Sequence, residues 1–126
     1  MSNQARNPND KKYDLKERTS KFGEDLIIFV SKLERSPINN PLVSQLVRSC
    51  TSIGANYMEA DGAESRPDFK HKIAICKKEA KETTHWCKML AAVNPQYGEH
   101  FAGFYKEAHE LVLIFSSILN NMVKSK

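Results

Sequence analysis

The run Glu82-Thr83-Thr84-His85 has residue types that could hold a metal. Its Glu-x-x-His spacing is that of carboxylate-bridged metal bundles, in which two such motifs and two further Glu all project inward. The chain carries one copy, and Glu82 and His85 sit off the apolar stripe that runs through Ala80, Thr83 and Cys87. The expectation is therefore no metal and no cofactor. His71, His100 and His109 have no partner at catalytic spacing. The sequence contains no Gly-rich phosphate loop, His-Glu-x-x-His or Gly-x-Ser-x-Gly, and it reads as a non-enzyme. Cys50, Cys76 and Cys87 are odd in number and lack Cys-x-x-Cys spacing, which argues against zinc or a disulfide framework. Each falls on a helical apolar stripe, where a thiol acts as a small buried hydrophobe.

The other chemistry on offer is charge. The chain carries 19 basic and 15 acidic groups over 126 residues. The largest local excess lies between positions 65 and 88, with 7 basic against 3 acidic residues. Arg66, Lys70, Lys72, Lys77, Lys78, Lys81 and Lys88 are thus candidate nucleic-acid contacts. They can equally be read as a solvated helix surface.

Four amphipathic segments must position these groups. The first is predicted over 14–35, opened by Asp14 with Glu17 three residues on, as in a capping box. Leu15, Thr19, Phe22, Leu26, Phe29 and Leu33 keep one face by steps of four and three. The second is predicted over 41–61 from Asn40-Pro41 to Gly62, with Val43, Leu46, Cys50, Ile53, Tyr57 and Ala60 inward. The third, over 66–93, is announced by Ser65-Arg66-Pro67-Asp68 and ends at Asn94-Pro95. The fourth, over 98–123, turns Phe101, Phe104, Ala108, Leu111, Phe115, Ile118 and Met122 inward. Short connections favour antiparallel neighbours. The fold expected is all-α, an antiparallel up-down four-helix bundle over 14–124, with residues 1–13 a disordered polar tail. No apolar run reaches the ~18 residues of a membrane span, and no signal-like segment is seen, so a cytoplasmic location with no membrane partner is expected.

Ile27, Ile28, Ile75 and Trp86 remain outside the four stripes. A lone bundle would leave several such groups in water, and contiguous exposed apolar surface marks interfaces. A homo-oligomer is therefore expected, the alternative being that these groups fill the corners of a broad core. On the second helix, Gly54-Ala55 suits an exposed helix face poorly, since Gly costs about 1 kcal/mol relative to Ala. Another backbone approaching Gly54 explains it better. Thr51, Ser52, Ala55, Asn56 and Glu59 are therefore expected to meet the third helix or a neighbouring subunit.

The string Arg48-Ser49-Cys50-Thr51-Ser52-Ile53-Gly54-Ala55-Asn56, followed by Glu59-Ala60, Ser65, Asp68-Phe69, Lys78-Glu79-Ala80, Glu82-Thr83 and Trp86, resembles the bacterial four-helix-bundle family named for intervening sequences of 23S ribosomal RNA genes. Tyr13-Asp14-Leu15 and the closing helix from Glu110-Leu111 to Leu119 are similar too. The resemblance covers about residues 13–123. Cys50 departs from the Gly or Ala that the family would place there, a change of packing volume. The resemblance implies a ring, typically a pentamer. It also implies partners that are RNA or a nucleic-acid-processing protein, since a related retroelement protein assists a reverse transcriptase. Two functions are open on the sequence: a ring that binds RNA phosphates through the lysines, and a scaffold that recruits a protein through groups such as Trp86 and Glu79.

Overall fold

The computed structural model describes residues 14–124, with the side chains described to 123. The expected tail over 1–13 lies outside the described residues. Four helices follow in order: α1, Leu15–Val30; α2, Asn39–Asp61; α3, Arg66–Val93; and α4, Gly98–Lys124. A 3-10 turn, Pro95–Tyr97, joins α3 to α4. No strand occurs among the described residues. Consecutive helices run antiparallel. Asn39 at the start of α2 bonds Asn94 beyond the end of α3, and Glu59 near the end of α2 meets Lys72 near the start of α3. The chain is an all-α, antiparallel up-down four-helix bundle.

The stripes form the core. Leu15, Phe22 and Leu26 from α1 pack with Leu46, Cys50 and Ile53 from α2, Ile73, Cys76, Ala80, Cys87 and Leu90 from α3, and Phe101, Ala108, Leu111 and Phe115 from α4. Burying a Leu, Ile or Phe side chain contributes about 1.5–3 kcal/mol each, so the three-four spacing holds the bundle together. Gly54 faces α1: a Cβ built on it would lie 3.6 Å from the Thr19 carbonyl carbon, its oxygen and Oγ1. Thr19 itself is buried and returns its hydroxyl proton to the Leu15 carbonyl at 2.7 Å.

The first helix stops five residues short of its predicted end. After Val30 the backbone tightens, with Lys32 N–H donating to Phe29 O and Leu33 N–H to Val30 O, both at 3.1 Å. Leu33 still reaches the core from this turn, so the apolar pattern outlasts the helix that it seemed to define. Asp14 occupies the cap position without a side-chain capping bond. The second helix starts at Asn39, earlier than Pro41. Ser36 Oγ accepts from Asn39 N–H at 2.8 Å, and Asn40 Oδ1 accepts from Ser36 N–H at 3.2 Å. Ser36 thus organises the entry expected of Asn40. The third helix begins as predicted, with Ser65 Oγ accepting from Asp68 N–H at 3.1 Å.

Candidate nucleic-acid interface

The two flanks of α3 carry opposite characters. At about 100° per residue, Lys70, Lys77, Lys81 and Lys88 fall within about 40° of arc and form one straight line along the helix. The line spans 18 residues, or roughly 27 Å. Lys78 lies about 80° further round. Lys70, Lys78, Lys81 and Lys88 are exposed, and Lys77 is half-buried. Among the described residues, none of these five forms an ion pair.

Acidic groups occupy the opposite flank, which meets α2. Arg48 begins on the outer side of α2, and its long side chain reaches round to α3. There it donates to Glu79 Oε1 at 3.2 Å and, in a close contact, to Glu82 Oε2. Trp86 Nε1–H donates to the same Glu82 oxygen at 3.0 Å. The Trp86 hydrogen bond draws the Glu82 carboxyl below its ordinary value, and Arg48 adds to this against the opposing effect of burial. The bond to Glu82 raises Arg48 in turn. Further along, Lys72 Nζ donates to Glu59 Oε1 at 2.6 Å, which raises the Lys72 ammonium.

This arrangement corrects two expectations, Glu79 and Trp86 as handles for a partner and Lys72 as one of the free lysines. Glu79 is buried and Trp86 half-buried, because both are engaged by neighbouring side chains, so they are poor exposed handles for a partner. Glu79 and Glu82 lie off the line of Lys70, Lys77, Lys81 and Lys88, held by Arg48 and Trp86, with Lys78 near enough to act on the Glu82 charge. Lys72 does not belong to the line either, because it is turned to α2 and paired. Arg66 donates to the Met122 carbonyl at 2.9 Å and ties the start of α3 to the end of α4.

The lysine line borders α4. Arg18 of α1 takes Glu107 in a two-point pair at 2.7 and 2.9 Å and reaches Glu110 at 3.3 Å; the Glu107 bonds raise the Arg18 guanidinium. These acids therefore mark the α1 side of α4. Glu99 lines the groove between α1 and α4 with Arg18, Phe22, His100 and Phe104. At about 100° per residue, Tyr105, His109, Val112 and Ser116 lie on the side of α4 opposite Glu107 and Glu110, toward the α3 edge, and no acid lies among them. The lysine line and this flank together make one surface without negative charge. Sequence reasoning had the lysines but missed Tyr105 and His109 as part of the same surface. Their position on the wheel relative to Glu107 was the available signal.

The remaining predicted contacts spread over other faces. Ile27 and Ile28 are exposed on α1, at 40% and 57%. Thr51 and Ala55 are exposed on α2, and Thr51 Oγ1 donates to the Val47 carbonyl at 2.7 Å. Ser52 and Asn56 are half-buried and bond each other, with Asn56 Nδ2 2.9 Å from Ser52 Oγ. Ile75 is half-buried on the α2 side of α3. Glu82 and His85 gather no further ligand, and no group of three His, Cys, Asp or Glu fit to hold a metal occurs among the described residues. No helix among the described residues is long and apolar enough to cross a membrane.

A family model described as 23S rRNA-intervening sequence protein matches residues 11–117. A crystal structure of a protein with unknown function from the S23 ribosomal protein family, from Bacteroides thetaiotaomicron VPI-5482, is similar to this chain with a TM-score of 0.72 at 30% sequence identity. The match covers 82% of this chain and 96% of that one. No curated protein matches the chain.

Proposed function

The chain belongs to the 23S rRNA-intervening sequence protein family, and on that premise we propose that it is a non-enzymatic, ring-forming bundle that binds RNA phosphates through the α3–α4 surface. One observation carries this reading. Lys70, Lys77, Lys81 and Lys88 line up on one flank of α3, and the acids of α3 and α4 lie off that line. Lysines scattered for solubility would be interleaved with acids. The exposed Ile27 and Ile28 and the family support a homo-oligomer, with five as the ring number that the resemblance implies. A ring repeats the surface around its circumference, so one polyanion can touch several copies and gains avidity without new contacts. The contacts reach phosphates, so binding is weak per subunit and poorly selective among sequences.

The test is RNA retention by the assembled protein at ~50 and ~200 mM salt. Four phosphate contacts predict a loss of about 50-fold over that range for each subunit that a single strand engages. Lys77→Glu with Lys81→Glu should abolish retention while sedimentation stays unchanged. If nothing is retained at low salt, or if neither salt nor charge reversal alters retention, RNA binding fails and a scaffold for a protein partner takes its place.

A further inference from the structure

Tyr105 and His109 stand about one turn apart on α4, on the flank that borders the lysine line. Their rings lie at 14° to one another with centroids 6.3 Å apart. Both residues are exposed, Tyr105 at 37%. Neither joins the aromatic cluster of Phe22, Phe29, Phe101 and Phe104 that fills the bundle on the α1 side. The core therefore does not account for them.

The register brings them beside the lysines. Arg66 bound to the Met122 carbonyl fixes one end of the antiparallel α3–α4 pair, and the turn Pro95–Tyr97 closes the other. At 1.5 Å per residue, Tyr105 and His109 then fall between the levels of Lys77 and Lys88, abreast of Lys81. Packed helices lie about 8–10 Å apart. A strand laid along this pair of helices would meet the lysines of α3 with its phosphates and the rings of α4 with its bases.

The geometry points to single-stranded RNA as the ligand of this surface, with bases stacked on Tyr105 and His109 and phosphates held by Lys77, Lys81 and Lys88. A duplex offers the same phosphates but keeps its base faces covered, whereas an unpaired strand presents both. Nearly parallel rings set along a basic track suit successive bases, and stacking accepts any base, in keeping with low sequence selectivity. The inference rests on the RNA-binding reading above.

The experiment measures affinity of the assembled protein for a 20-nucleotide single strand, an abasic strand of the same length and a duplex, at ~50 mM salt. Sedimentation is run on every variant. The single strand should bind roughly tenfold more tightly than the abasic strand, and Tyr105→Ala should remove roughly that factor. Tyr105→Phe should retain it, and the duplex affinity and salt slope should not move. If Tyr105→Ala and His109→Ala leave single-strand affinity unchanged while Lys77→Glu with Lys81→Glu abolishes it, stacking is refuted and phosphate binding stands. If wild type binds none of the three ligands, both readings fall. If Tyr105→Ala dissociates the assembly and Tyr105→Phe does not bind the single strand like wild type, Tyr105 is a subunit contact and the inference is overturned.

Discussion

The Trp86 indole donates its Nε1–H to Glu82 Oε2 at 3.0 Å, one turn earlier on the same helix. The same oxygen accepts from Arg48. A carboxylate that accepts from two donors favours its charged form, and its pKa falls. Glu82 therefore titrates below the ordinary Glu value of about 4.3. Its contribution to stability is fully present above that value and is lost as the pH falls through the lower, folded-state value. Trp86 is the sole tryptophan, so its emission reports the event. We expect a fluorescence transition on the acid side of pH 4.3 that precedes or accompanies unfolding, and its loss in Glu82→Gln. An unchanged transition in that variant would assign the signal to another group.

Arg48 holds two acids from outside the helix that carries them. Glu79 is buried, so truncating Arg48 leaves an unpaired carboxylate acceptor, a loss of about 1–3 kcal/mol for a buried group. Arg48 is itself nearly half exposed, and solvent screening brings the expected cost of Arg48→Ala to about 1 kcal/mol. Chemical denaturation checks this. The double variant with Glu79→Gln should recover most of the loss, because the stranded charge is then gone. A full additive loss would show that Arg48 stabilises by packing alone.

Much of this architecture was legible in the residues, and the exceptions share a cause. Stripes such as Ile73-Cys76-Ala80-Thr83-Cys87-Leu90 name their own burial, since three-four spacing allows one inward face. Helix ends were less legible. Leu33 continues the α1 stripe and is buried, yet it sits on a turn, because burial constrains the side chain and not the backbone that delivers it. Long polar side chains were the least legible. A helix wheel places the Cα of Arg48 on the outer side of α2, and only the tertiary position of α3 shows that its guanidinium ends between Glu79 and Glu82. The buried amide pair of Asn39 and Asn94, with reciprocal bonds at 3.2 and 3.0 Å, is hidden for the same reason. Its partners are 55 positions apart, and each alone reads as a cap or a stop.

The three thiols test how closed the core is. Burial pushes Cys50, Cys76 and Cys87 each up to about 12. The thiolate is the reactive form, so all three should resist a thiol reagent at pH 8 in the native protein and react together on denaturation. Their reaction rate under native conditions then measures opening of the bundle. Rapid labelling of one cysteine would show that its helix leaves the core on its own.

Gly54 and Gly103 separate backbone need from mere occupancy. Both lie inside helices, where Gly costs roughly 0.5–1 kcal/mol relative to Ala. A Cβ at Gly54 would meet the nearest Thr19 atoms at 3.6 Å, an ordinary contact, and a Cβ at Gly103 would meet nothing within 4 Å. The close approach inferred from the Gly54-Ala55 pair is real, yet it leaves room for a methyl group. Gly54→Ala and Gly103→Ala should each raise stability by up to about 1 kcal/mol, read as a higher denaturation midpoint at unchanged slope. A loss of stability at Gly54 would mean that α1 and α2 pack more closely around this position than the 3.6 Å contacts show.

Ile27 and Ile28 bring the assembly itself to a test. Two adjacent Ile residues keep 40% and 57% of their surface exposed in a lone bundle, and covering the remainder offers roughly 1 kcal/mol each. Single replacement by Glu puts a charge where a subunit contact would exclude water, a cost that an interface tolerates poorly. Wild type should sediment at micromolar concentration as a species near five times 14.3 kDa. Ile27→Glu and Ile28→Glu should shift it toward the monomer while circular dichroism keeps its helical signal. Thr51→Glu and Ala55→Glu on α2 form the comparison set: dissociation by these and not by the α1 variants would move the contact to the outer face of α2. A wild-type chain that remains a monomer at every concentration would end the ring proposal, and the lysine line would then have to hold RNA without the avidity that a ring supplies.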